Sequence, residues 1–383
     1  MKSITTLIAA GSLLAMLAVA QTSRYTITDL GPVGGPPGQP FVIRNNGLIS
    51  GAAAIPGGAM HAVLWSRGLK VDLGTPGLGG ANSVAFGVNE RGQAVGQAET
   101  STADPKGEDF CGFKSVGLPS SGNTCLPFVW QNGVMTPLPT LGGNNGVANQ
   151  INNRGEVAGS AENAVLDLTC PAPQVLQFRP VIWEQGRIHE LPTYGDPDGI
   201  AFSINDNGQV VGASGTCTTF NVNGDLTYLY GLHALLWQNG TAIDLGNLGG
   251  TAPGGGNVAL TINNQGQVVG VSGLSDNTTF HGFLWTKQSG IQDLGTIPGD
   301  AASVALGIND SGEVVGISFD PNFNPRAFVR QNGVMTDLNT LIPAGSPLFL
   351  FDACSINSRG EIIGLGVTST GEAHGYLAVP ASR

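Results

Sequence analysis

SVALGINDSGEVVG, residues 303–316, is the stretch that decides the fold. An apolar run leads into Asn309, Gly312 follows after two residues, and Gly316 closes the unit. The same unit recurs as Asn89–Gly96, Asn152–Gly159, Asn205–Gly212, Asn263–Gly270 and Asn357–Gly364. The earliest copy, Arg44–Gly51, has arginine in place of the asparagine. The closing glycines fall at 51, 96, 159, 212, 270, 316 and 364, so the repeat length is 45 to 63 residues. Seven copies at that period predict a repeat architecture.

Two further segments follow each copy. One is a short apolar run, such as HAVLW (61–65), HALLW (233–237) or HGFLW (281–285). The other is an Asp-Leu segment with glycine-rich sequence after it, such as VDLGTPGLGG (71–80). Each unit therefore reads as four strands. Strand A leads into the asparagine, and Asn-x-x-Gly supplies a turn with glycine at positive φ. Strand B carries the second glycine, and strand C is the HALLW-like run. Gln-Asn-Gly, as at 131–133, turns into strand D, the Asp-Leu segment. Insertions at 97–125, 160–178 and 213–232 lie between B and C, and Gly-Gly pairs at 79–80, 142–143 and 249–250 between D and A. Four short strands at this period predict a blade of a β-propeller. The ends predict ring closure. YTITDL (25–30) is a strand D with nothing before it, and HGYLAV (374–379) is a strand C with no D after it. The expected fold is an all-β, seven-bladed propeller over 21–383 whose N-terminal strand completes the last blade.

The repeat resembles that of the HAF-repeat extracellular proteins, named for the start of strand C. The resemblance covers about residues 25–379 and rests on His-Ala or His-Gly at 61, 233, 281 and 374 and on the Asp-Leu-Gly follow-on. Blades 2, 3 and 6 depart from it at the histidine. The resemblance implies an extracellular propeller but no particular chemistry. Some members end in a sorting tail, which PASR (380–383) does not match.

Composition narrows the function. The net charge is −11 and basic residues are not clustered, which excludes nucleic acid as an expected partner. Lys2, the apolar run Ile4–Leu17 and Ala18-Val19-Ala20 read as a signal peptide over 1–20. Secretion to an extracellular or periplasmic location, without a later membrane span, follows from that reading. Five cysteines suit such a compartment. Cys111 and Cys125 lie in one insertion, and Cys170 and Cys217 in the insertions of adjacent blades. Three pairings of these four stay open, and Cys354 on a strand A is expected to be a free, inert thiol.

The residues suited to chemistry mostly belong to the repeat. His61 precedes Asp72 by 11 residues, His233 precedes Asp244 by 11, and His281 precedes Asp293 by 12. Arg179 with Glu190 and Arg326 with Asp337 keep the spacing, and His374 would meet Asp29 across the closure. Blade 2 has Leu126 and Pro137 and lacks both charges. Base and acid appearing together suggests a structural ion pair in each blade, not a metal or catalytic site. The five tryptophans all end strand C, which suits packing between blades better than sugar stacking. Asn221-Val-Asn-Gly-Asp225 is too poor in acids for a calcium loop. No metal or cofactor is expected.

Irregular loops on a rigid scaffold favour a binding role for the face formed by B–C and D–A loops. The leading expectation is a monomeric binding module for protein or carbohydrate. One alternative is an enzyme on polysaccharide, with two acids at the mouth of the channel. Asp104, Glu108, Asp109, Glu162, Asp196, Asp198 and Asp300 are the loop acids available for either role. The other alternative is a structural surface protein.

Overall fold

A computed structural model describes residues 24–32, 39–66, 68–75, 77–113, 118–217, 233–250 and 256–381. The expected signal peptide and the segment 221–225 lie outside them. The described chain forms seven four-stranded antiparallel sheets arranged as a seven-bladed propeller. Blade 1 comprises β2 (Pro40–Ile43), β3 (Ile49–Ala54), β4 (Met60–Ser66) and β5 (Leu69–Asp72). Blade 2 runs from β6 (Gly79–Val88) through β7 (Ala94–Ala103) and β8 (Asn123–Gln131) to β9 (Val134–Pro137). Four more blades repeat this order in sequence. The seventh is β26 (Leu348–Ile356), β27 (Ile362–Thr368) and β28 (Ala373–Pro380), completed by β1 (Tyr25–Pro32). Tyr25 pairs with Pro380 and Asp29 with Tyr376, so the N-terminal strand closes the ring.

The two glycines of the repeat have separate causes. Gly92, Gly208, Gly266 and Gly312 sit at φ 74 to 77, where a side chain would strain the turn. The second glycine answers a close approach. Strand A bulges where it faces strand B, shifting register between Ala259 and Thr261 in blade 5. That bulge leaves a Cβ on Gly270 only 1.9 Å from the Val258 carbonyl oxygen. The same carbonyl crowds the closing glycine of every blade, at 1.8 to 2.3 Å. C–D turns place both central residues at positive φ, as at Asn132 (51°) and Gly133 (85°), which is why Asn-Gly recurs there.

The asparagine of the repeat does two jobs. Asn89 Oδ1 accepts from the backbone N–H groups of Arg91 and Gln93, which closes its own turn. Its Nδ2 donates to the carbonyl of Asn152 in the next blade at 3.0 Å. Asn152, Asn205, Asn263 and Asn309 each donate in turn to the next blade's equivalent carbonyl, and Asn357 donates to Arg44. Arg44 closes the belt by reaching the Val88 carbonyl. This buried circle of hydrogen bonds ties each A–B turn to its neighbour. The core lies between blades. One cluster joins Ala62 and Leu64 of blade 1 to Ala85, Val88 and Phe128 of blade 2. Trp183 and Trp237, almost fully buried, each donate an indole N–H to a proline carbonyl of the preceding blade, Pro139 and Pro192.

Two features differ from the sequence expectation. Gly79 and Gly142 open strand A instead of lying in loops, pairing with Thr100 and Asn163. Their neighbours allow it by lacking a side chain, since a Cβ on Gly80 would meet the Glu99 carbonyl at 2.3 Å. The insertions of blades 2 and 3 are less irregular than expected. They extend strands B and C, so that Ala103 still pairs with Asn123 and Leu166 with Leu176.

Candidate functional site

Strand A is the innermost strand of each blade, and its channel-facing residues wall a cavity of about 1180 Å³ on the ring axis. Phe41, Phe86, Phe202, Leu260 and Leu306 occupy one equivalent position of the wall. Asn149 and Cys354 hold it in blades 3 and 7. Phe110 and Phe113 from the blade 2 insertion, and Phe280, Phe319 and Phe323 from blades 5 and 6, continue the apolar wall toward the B–C face. At the A–B end the lining turns polar. Arg44 donates there to Gln150 Oε1 at 2.7 Å and to the Ile151 carbonyl at 3.0 Å. Glu90, Asp206 and Asp310 stand around its guanidinium. The result is an axial cup with a polar floor, phenylalanine walls and a mouth among the B–C loops. Cys354, expected to be a free thiol on strand A, is free and partly buried and lines this cup. Its Sγ donates to the Pro40 carbonyl at 3.0 Å, and burial pushes the thiol well up, so it is held protonated.

Both disulfides shape the mouth. Cys111 is bonded to Cys125 within the blade 2 insertion, fixing the segment that carries Phe110 and Phe113. Cys170 is bonded to Cys217, which ties blade 3 to blade 4. Loops closed by separations of 14 and 47 residues are worth roughly 3 and 4 kcal/mol in the chain-entropy model.

The acids expected in loops are engaged by the protein. Two of them, Glu162 and Asp198, stand on strands, because the blade 3 insertion extends strand B and blade 4's strand A begins at Asp198. Glu108 Oε1 accepts from the backbone N–H of Val175 and Leu176, locking the blade 2 insertion onto that of blade 3. Glu162 accepts from the N–H groups of Asn144 and Asn145 and from the Asn145 and Gln174 side chains. Asp104 accepts from Asn145 Nδ2 at 2.8 Å. Asp198 accepts from the Phe178 N–H at 3.1 Å. Asp196 and Asp300 accept from Ser214 and Ser318, and Asp109 from Ser120. Asp104, Glu108, Glu162 and Asp198 are all buried. Asp198 lies near Cys170 and Cys217, but the disulfide uses both sulfurs.

The six repeat pairs fall at short range. The histidine Nδ1 of His61, His233, His281 and His374 lies 2.8 or 2.9 Å from Asp72, Asp244, Asp293 and Asp29. Arg179 meets Glu190 at 2.7 Å, and Arg326 meets both Asp337 and Asp300. The four aspartates paired with histidine also accept from the glycine N–H two residues on, as Asp72 does from Gly74, which accounts for the Asp-Leu-Gly sequence. These pairs lie around the outer part of the ring, away from the cup.

Burial raises several carboxyls. It pushes Glu162 up to about 7, against the hydrogen bonds that Gln174 and Asn145 give it. Burial and the neighbouring Asp167 carboxyl push Asp198 up to about 8. Burial alone pushes Asp352, on the wall of the cup, up to about 7. Unfolded carboxyls titrate near pH 4, so between that value and about pH 8 the folded chain holds more protons. Stability therefore falls as pH rises across this window. His374 acts in the same direction. Burial lowers its pKa, but Asp29 and Glu372 outweigh that and raise it, so its contribution is present below pH 6.5 and lost above. Asp276 and Asp320, exposed and shifted down, titrate below the window. Each fully coupled proton is worth about 1.4 kcal/mol per pH unit. Denaturant unfolding is expected to show a more stable protein at pH 5.5 than at pH 8. Equal stability at the two values would contradict these assignments.

The class is set by topology: a β-propeller of seven four-stranded blades, closed by its own N-terminal strand. Three solved structures illustrate the likeness. BP39L lectin from Burkholderia pseudomallei is 11% identical with a TM-score of 0.39, over 94% of this chain and 99% of that one. A mutant of the Aleuria aurantia lectin AAL in complex with Fucalpha1-6GlcNAc is 11% identical with a TM-score of 0.37, over 93% and 91%. A putative TolB from Agrobacterium tumefaciens is 12% identical with a TM-score of 0.36, over 67% and 84%. Overlap this loose carries nothing about ligand or activity. No family model matches the chain, and no curated protein matches it.

Proposed function

We propose that this protein is a secreted binding module of the HAF-repeat type whose ligand enters the axial cup from the B–C face. The observation that carries the reading is the cup itself. Nine phenylalanines line it, on a scaffold that otherwise buries its large side chains between blades. A concave, mostly apolar cavity with a few polar groups is the usual form of a small-molecule site. Two disulfides, and the lack among the described residues of a helix able to cross a membrane, suit an extracellular setting. Carboxylates occupied by backbone N–H groups favour binding over hydrolysis.

A protein ligand on the rim is the second reading. The blade 3 insertion exposes Val165, Leu166 and Leu168, the last at 96%. A carbohydrate would meet the same rim. The test compares wild type with Leu306→Trp, which fills the cup from its wall, in one screen of small molecules, glycans and peptides. Small apolar ligands that Leu306→Trp no longer binds are the expected result. Glycans or peptides bound equally by both proteins would move the function to the rim.

A further inference from the structure

Asp352 breaks the repeat at a strand A position that is aliphatic in five of the other six blades. The equivalent strand A position holds Val84, Val147, Ile200, Val258 and Val304 in five blades, and Gln39 in blade 1. Asp352 lines the cup, the residue is 6% exposed, and its buried Oδ1 has no hydrogen-bond partner. An unpartnered carboxyl among apolar groups is destabilising, and valine would satisfy the repeat at this position. The polar groups nearby are turned elsewhere. The Cys354 thiol donates to the Pro40 and Ile363 carbonyls. Tyr376 donates its hydroxyl to the backbone carbonyl of Asp352, not to the side chain.

The rest of the lining has the same sign. Among the described residues Glu90, Asp206, Asp310 and Asp352 are its acids, and Arg44 is its one cation. Arg44 is already committed to Val88, Gln150 and Ile151. An anionic ligand would therefore meet four carboxyls and no free cation. Phenylalanine faces attract a cation and accommodate an apolar body equally well.

We propose that the cup takes a hydrophobic organic cation, with an ammonium group on Asp352 and its apolar body against the phenylalanine wall. This rests on the axial-cup reading above and adds the chemical class of the ligand. The ammonium supplies the donors that Asp352 Oδ1 lacks.

Three fluorescent probes with one fluorophore test it: dansylcadaverine (cationic), its N-acetyl derivative (neutral) and dansyl-6-aminohexanoate (anionic). Wild type is expected to bind the cation roughly tenfold or more tightly than the neutral probe, and the anion most weakly. Asp352→Val, which gives the residue of four other blades, and Asp352→Asn are expected to bind the cation no better than the neutral probe. Equal affinity of wild type for all three probes, or a cation preference that survives in Asp352→Val, would overturn the proposal while leaving the cup as a binding site. Fluorescence that fails to rise with any probe, or that is unchanged by Leu306→Trp, would remove the cup reading and this proposal with it.

Discussion

A chain beginning at Gln39 is expected to lose the cooperatively folded state. It lacks β1, the outer strand of the seventh blade. Tyr25 is buried in the cluster containing Leu338, Leu350 and Tyr376, and it leaves with the strand. Burying one such aromatic is worth roughly 2 to 3 kcal/mol. The ladder from Tyr25–Pro380 to Asp29–Tyr376 goes too, at about 1 kcal/mol for each net hydrogen bond. The sum, on the order of 5 kcal/mol, equals much or all of a typical domain's stability. What remains also exposes β28 as an unpaired edge, open to pairing with another chain. Sizing and denaturant unfolding are expected to show oligomers or no cooperative transition. A monomer unfolding at the wild-type midpoint would mean that β1 does not hold the ring.

Gly270→Ala is expected to cost about 3 kcal/mol or more, and Gly266→Ala only about 1. The two glycines belong to the same repeat copy but answer different constraints. At Gly270 the new Cβ would lie 1.9 Å from the Val258 oxygen and 2.9 Å from the Phe283 ring. The oxygen belongs to the bulge and the ring to the core between blades, so neither can retreat without moving a strand. At Gly266 the only obstacle is φ 74, with the flexible end of Gln209 at 3.3 Å. Denaturant unfolding of both variants measures the difference. Equal losses would mean that the bulge does not force the second glycine.

Much of this fold was legible in the sequence because its local devices recur: Asn-x-x-Gly stands in six of the seven copies and Gln-Asn-Gly at three C–D turns. Asn-x-x-Gly, Gln-Asn-Gly and the stray strands at 25–30 and 374–379 each have a short-range meaning. They place the strands, the hairpin turns and the closure without knowledge of the packing. What stayed hidden depends on contacts between blades. Asn89 reads as a turn residue, and its donation to Asn152, 63 residues away, has no local signature. Arg44 did carry a signal, as the one copy without asparagine, but its reach to Gln150 belongs to the closed ring. The loop acids were legible as acids in loops. Their burial comes from two insertions packing together, as when Glu108 binds the backbone at Val175 and Leu176. Asp352 could have been found. Asp352 stands 12 residues before Gly364, as Val304 stands 12 before Gly316, so aligning the copies on the closing glycine was enough to expose it.

The ring is tested most directly by a cross-link between its two terminal strands. Thr28 and Leu377 face each other in the β1–β28 ladder. In a Cys354→Ser background, Thr28→Cys with Leu377→Cys is expected to oxidise within one chain, joining the N-terminal and C-terminal peptides in a monomer. Thiols that stay free, or that bond only between chains, would show that the last blade is not completed by the first strand.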